Sequence, residues 1–300
     1  MSDLLAELEI LRRERKAVLL AHNYQNPEVQ DVADFTGDSL GLSRLAAATE
    51  AEVIVFCGVH FMAQTAKLLS PGKTVLLPAL DAGCPMADMI TPELLCKFKQ
   101  EHPGAPVVAY VNTTAEVKAE CDICCTSANA VQVIQSLPDE QILFVPDQYL
   151  ADWVAKQVPD KEIIAYGGFC PTHVRINPAE ILVAKAAHPE ARVVGHPESP
   201  PDILALCDAV RSTSGMVRYA KEDTAQEFIV ATECGMVHRL EVDVPGKTFY
   251  GLPSISCPNM KKTTLEKVVA SLRELQFKIE IPEAIAVKAR QSVERMVAIG

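Results

Sequence analysis

Cys-Pro occurs three times in this 300-residue chain, at Cys84-Pro85, Cys170-Pro171 and Cys257-Pro258, spaced by 86 and 87 residues. With 10 Cys and 20 Pro in the chain, chance supplies about 0.7 such dipeptides. Near-equal spacing on that scale marks an internal repeat, and a repeat constrains the architecture before any single residue is considered.

The same order recurs upstream of each Cys. The β-rich runs KAVLLAHNY, PVVAYVN and ARVVGHPE end in polar clusters at His22, Tyr110 and His196. A hydroxyl follows each at 17 residues: Ser39, Ser127 and Thr213. Next come EVIVFCG, QILFVPD and EFIVATE, and then the Lys-led runs KTVLLPALDAGC, KEIIAYGGFC and KTFYGLPSISC. Apolar runs without clean alternation belong to parallel strands covered by helices on both faces. Each unit therefore reads strand–helix–strand–helix–strand–Cys. The expected fold is α/β: three pseudo-threefold-related α/β domains with parallel sheets around a central active-site cavity. The expected units are 1–86, 87–172 and 173–258, and units this small should pack on one another. The tail 259–300 reads as helical and should pack back onto the body, counted here with the first unit.

Composition narrows the function classes. A chain with 49% hydrophobic and 22% charged residues is globular, not disordered. The net charge of −11 repels nucleic acid and anionic lipid, so partners of those kinds are not expected. The N-terminal stretch MSDLLAELEILRRERK lacks the layout of a signal peptide, and no apolar run approaches the ~20 residues of a bilayer span. The expected location is the cytoplasm, where ten cysteines are not read as five disulfides.

Ligands of parallel α/β sheets sit beyond the carboxyl ends of the strands. His22, Tyr110, His196 and the three Cys-Pro thiols all fall there, so one shared site is expected. Three converging thiolates suit a metal centre. Zinc would want a fourth ligand, whereas a cubane iron–sulfur cluster held by three Cys keeps one iron open as a Lewis acid. The competing reading is three inherited turns without metal. Ser39, Ser127 and Thr213, where helical patterns begin, either bind anions at helix N-termini or act as ordinary N-caps. Tyr24, Asn112, His173 and Glu198 complete the polar set, Tyr and Glu being able to move protons. Cys121, Cys124 and Cys125 are placed in the helix of the second unit as buried packing, with a dithiol redox role as the alternative.

These motifs together resemble the quinolinate synthase family, the A protein of bacterial NAD biosynthesis. The resemblance runs along the whole chain: AHNYQ at 21–25, GDS at 37–39, GCPMAD at 83–88, AYVNT at 109–113, TSAN at 126–129, CPTHV at 170–174, GHPE at 195–198, RSTSGM at 211–216 and SCPNMK at 256–261. It implies an enzyme that condenses iminoaspartate with dihydroxyacetone phosphate to quinolinate, releasing phosphate and two waters. It implies one [4Fe–4S] cluster on Cys84, Cys170 and Cys257. Carried over by motif, His22, Ser39, Tyr110, Val111, Asn112, Ser127, His173, His196, Pro197, Glu198 and Thr213 would hold substrate. Tyr24, Glu198, Tyr110 and His22 would take part in the chemistry. A hand-off from an iminoaspartate-producing oxidase is a further implication. Some relatives carry C-x-x-C-x-x-C at the third ligand; here Cys257 stands alone. The rival readings are another [4Fe–4S] hydro-lyase acting on a hydroxy acid, and an electron-transfer protein whose fourth ligand comes from Cys121, Cys124 or Cys125.

Overall fold

The structure is a computed structural model and describes residues 2–299. The first unit runs α1 (Ser2–Arg15), β1 (Ala17–His22), α2 (Pro27–Val32), β2 (Phe35–Gly37), α3 (Ser39–Ala48), β3 (Val53–Cys57), α4 (His60–Leu69) and β4 (Thr74–Leu76). The second runs α5 (Pro92–Glu101), β5 (Val107–Tyr110), α6 (Ala115–Lys118), β6 (Ile123–Cys125), α7 (Ala130–Ser136), β7 (Gln141–Val145), α8 (Gln148–Ala155) and β8 (Glu162–Ala165). After the short α9 (Pro171–Val174) the third runs α10 (Pro178–Ala187), β9 (Arg192–Gly195), α11 (Pro201–Leu204), β10 (Ala209–Val210), α12 (Thr213–Glu222), β11 (Glu227–Ala231), α13 (Gly235–Asp243) and β12 (Thr248–Gly251). The tail forms α14 (Leu265–Glu274) and α15 (Glu283–Val297).

Three four-stranded parallel sheets result, ordered β2-β1-β3-β4, β6-β5-β7-β8 and β10-β9-β11-β12. The α/β repeat is thus present, with one correction. Each unit has four strands, because β2, β6 and β10 are edge strands of only three, three and two residues. Strands that short leave too few residues for a periodic signal.

The edge strands are held by a device repeated three times. The backbone N–H groups of Leu19, Val107 and Val193 donate to the carboxylates of Asp34, Asp122 and Asp208 at 2.8, 2.7 and 2.7 Å. Each Asp lies 15 residues beyond its donor and immediately before an edge strand. The lysines that open the Lys-led runs have an equally plain role. Lys73, Lys161 and Lys247 donate to the carbonyls of Thr49, Leu137 and Asp223, just past the ends of α3, α7 and α12. A cation there satisfies orphan carbonyls and complements the negative end of the helix.

The units share their core. One buried cluster takes in Leu20 and Phe56 from the first, Phe144 from the second, Phe228 from the third and Val293 from α15. Helix α14 packs on α1, and α15 lies against α4, α6 and β6. Among the described residues no helix is long and apolar enough to cross a membrane.

Candidate active site

The strand order places a reversal between the first and third strands of each sheet, the position where parallel α/β proteins open a crevice. His22, Tyr110 and His196 stand at or one residue past the ends of β1, β5 and β9. The three Cys-Pro pairs lie at the starts of single helical turns. Asp88, Val174 and Lys261 donate their N–H groups to the carbonyls of Cys84, Cys170 and Cys257 at 3.2, 3.1 and 3.2 Å. Proline suits the first position of such a turn, since its missing N–H would find no partner there.

All of these groups line one cavity of about 880 Å3, which includes its open mouth. Ser39 and Thr213 are the first residues of α3 and α12 and line it too. Ser127 lines it from the turn before α7, outside the helix itself. Tyr24, Asn112, His173 and Glu198 are also in the lining, whereas Val111 and Pro197 are not. Val111 is 1% exposed and uses its N–H on the Cys125 carbonyl, 2.8 Å away.

Glu198 sits at the centre. Its carboxylate accepts from the Tyr110 hydroxyl, from His173 Nδ1 at 2.7 Å and from Asn112 Nδ2 at 3.5 Å. Burial pushes the carboxyl up, but the charge and hydrogen bond of His173, with help from His196 and Tyr110, hold it well below the usual carboxylate range. Burial and the Glu198 charge push both Tyr24 and Tyr110 well above ordinary phenols. They remain protonated wherever the protein is folded near neutrality.

The two equivalent histidines share a tautomer. Tyr24 N–H points to His22 Nδ1 at 3.2 Å, and Glu198 N–H points to His196 Nδ1 at 3.4 Å. With Nδ1 accepting, the proton resides on Nε2. In His196 that Nε2 meets the Ser127 hydroxyl at 3.2 Å. Burial lowers His22 to about 4 and His196 to about 3, so both rings are neutral at pH 7.

A hydrogen-bonded chain links the units across the floor. Tyr24 Oη shares a 2.6 Å bond with Thr232 Oγ1, which lies 2.9 Å from His173 Nε2. His173 Nδ1 then reaches Glu198 and lies 3.2 Å from Cys170 Sγ. Thr232 was invisible as a site residue, for nothing in the run EFIVATE distinguishes it. The neighbouring Glu233 was equally hidden. It is fully buried, accepts from the N–H groups of Gly235 and Cys257 at 2.6 and 3.1 Å, and pairs with Lys261 at 3.0 Å. Its equivalents in the other units are Val59 and the buried Asp147, which caps α8 by accepting from the N–H groups of Tyr149 and Leu150, so the acid repeats in one unit only and there reads as an ordinary helix cap.

Of the ten cysteines, Cys84, Cys170 and Cys257 alone are in this lining. Burial pushes Cys84 up to about 12 and Cys170 well above the usual thiol range. A metal would take the place of those protons, and soft thiolates are the donors that iron–sulfur centres use. The donor set therefore fits the expected group. Cys170, His173 and Glu198 also place one ligand atom each within 4.8 Å of one another. The other thiols do not gather here. Cys124 and Cys125 occupy β6, not a helix as expected, and Cys121 lies in the turn before it. Burial pushes all three thiols above the usual range, which fits packing better than dithiol chemistry.

Comparison with known proteins agrees with this geometry. The family model for quinolinate synthetase A protein matches residues 6–298. A quinolinate synthase of Thermodesulfovibrio yellowstonii is 54% identical over 294 residues, 98% of this chain and 97% of the relative. One of Desulforudis audaxviator is 57% identical over 300 residues, covering 99% and 98%. Quinolinate synthase 1 of Methanosarcina acetivorans is 50% identical over 299 residues, again covering 99% and 98%. The chain is thus an enzyme, and it belongs to the quinolinate synthetase A protein family.

Proposed function

We propose that this enzyme condenses iminoaspartate with dihydroxyacetone phosphate to quinolinate, releasing phosphate and two waters, as a cytoplasmic step of NAD biosynthesis. The observation that carries the reading is the convergence of three hydroxyls, two neutral imidazoles and three thiols on one cavity around an ionised Glu198. Two carboxylates and a phosphate need many donors. The Nε2–H groups of His22 and His196, the hydroxyls of Ser39, Ser127 and Thr213 and the Asn112 amide supply them.

In this reading Cys84, Cys170 and Cys257 hold a [4Fe–4S] cluster. When bound, the cluster supplies an open iron that polarises a leaving hydroxyl. Glu198 is the ionised base that removes carbon-bound protons. Tyr110 donates to it and keeps it oriented, while Tyr24 holds a proton at Oη for delivery to departing oxygen. The chain Tyr24–Thr232–His173–Glu198 connects the donor to the acceptor. Because an imine hydrolyses in water, its supply calls for an oxidase that makes it at the time of use.

The test uses protein purified without oxygen and given dihydroxyacetone phosphate with freshly generated iminoaspartate. Quinolinate that appears on chromatography and vanishes in Cys170→Ala supports the reading. No product from a preparation that demonstrably holds a [4Fe–4S] cluster overturns it and leaves another hydro-lyase in its place.

A further inference from the structure

The charge inventory of the cavity is unusual for a site that takes anions. Its lining includes three carboxylates, Asp38, Glu198 and Glu233, and among the described residues a single Lys or Arg, Arg175. The histidines that bear Nε2–H groups are neutral at pH 7. Lys261, just behind the lining, is committed to Glu233 at 3.0 Å and to the Tyr24 carbonyl at 2.7 Å. The chain as a whole carries −11. Dianions entering such a cavity meet a repulsive field unless a cation receives them at the mouth.

Arg175 is placed to do so. It follows α9, the turn that begins at Cys170-Pro171, and its Nε donates to the Pro171 carbonyl at 2.9 Å. That bond holds the guanidinium over the cysteine turn. Its two terminal nitrogens have no hydrogen-bond or carboxylate partner among the described residues, and the side chain is exposed at the opening. A planar fork with both prongs free matches a carboxylate or phosphate bidentately.

We infer that Arg175 is the anion-capturing residue of this site, pairing with the phosphate or a carboxylate of the incoming substrate at the cavity mouth. This rests on the function proposed above only in so far as the substrates are dianions. The residue sets kcat/KM for charged substrates and leaves the chemistry at Glu198 and Tyr24 to others.

The experiment compares wild type, Arg175→Gln and Arg175→Lys, all purified without oxygen, at ionic strengths from low to high. In wild type quinolinate forms. In Arg175→Gln, kcat/KM for dihydroxyacetone phosphate is expected to fall about tenfold or more at low salt, with kcat changed much less. The ratio of wild type to variant should shrink as salt screens the charge. Arg175→Lys should keep the salt dependence of wild type while losing part of the affinity. Inorganic phosphate, used as a competing anion, should inhibit Arg175→Gln more weakly than wild type. A fall in kcat with KM and salt dependence unchanged would overturn the inference, since a merely structural role acts that way. Equal kinetics in all three proteins would overturn it too. Failure of wild type itself to form quinolinate would instead strike at the proposed function.

Discussion

Acid should destabilise this protein through its two neutral histidines, by an amount that can be worked out. An unfolded histidine titrates near 6.5, whereas burial holds folded His22 at about 4 and His196 at about 3. Between those values the unfolded chain binds protons that the folded chain refuses, so stability falls with pH. From pH 7 to pH 5 each ring costs about 2 kcal/mol, or about 4 kcal/mol together. The loss begins near pH 6.5 and levels off for His22 below about pH 4 and for His196 below about pH 3. Against a net stability of about 5–15 kcal/mol this is a large fraction. The clean perturbation is His196→Asn, whose carbonyl oxygen can still accept the Glu198 N–H that Nδ1 takes at 3.4 Å. Urea unfolding midpoints for both proteins at pH 7 and pH 5 give the answer. The difference between them cancels other titrating groups, the cysteine ligands included. Wild type should lose about 2 kcal/mol more than the variant over that interval. Parallel losses would mean that His196 protonates freely when folded, and the account of its burial and tautomer would be wrong.

Other consequences are as direct. Glu198→Gln removes the ionised acceptor of Tyr110 and His173; kcat should fall by about 100-fold or more, and the unfolding midpoint at neutral pH should fall too, because the stability that holds the carboxyl below its usual range is lost with the charge. Thr232→Val interrupts the bonds to Tyr24 and His173 and should lower turnover, with Thr232→Ser restoring most of it; equal rates in both variants would remove Thr232 from the site. Asp122→Ala strands the buried N–H of Val107 and should cost about 1–3 kcal/mol in denaturant unfolding, most of it regained with Asn. Gly168→Ala would place a methyl 2.5 Å from the Pro146 carbonyl oxygen; the backbone two residues before Cys170 must then move, and iron content measured after anaerobic purification should fall along with stability.

Much of this architecture was open to reading because the chain states it three times. The Cys-Pro turns, the polar strand ends and the hydroxyls at fixed spacing each identified a position in one unit and its counterparts in the others. The edge strands escaped because two or three residues cannot establish a period, even though Asp34, Asp122 and Asp208 recur at matching places. The expectation of a helix at Cys124 and Cys125 fails because their ICC run is the short edge strand β6. Four residues of the site escaped: Glu233, Thr232, Asp38 and Arg175. Asp147 and Ser212, the counterparts of Glu233 and Asp38, likewise accept backbone N–H groups at a helix start, which reads as ordinary capping; Thr232 answers to Gly58 and Pro146, and Arg175 to Met89 in the first unit, so the repeat conceals both. The importance of all four arises from where the third dimension puts them: beside Cys257, between Tyr24 and His173, at the head of α3 and at the mouth.

In the proposed function, the placement of one Cys-Pro turn in each unit would make cofactor retention a report on the whole molecule. A chain with two units docked and the third displaced keeps only two thiols, too few to hold a centre that needs three. Any ligand that does bind favours the fully assembled arrangement by mass action. Assembly, loading and competence would then be acquired together, and damage confined to one turn would be felt by all three units.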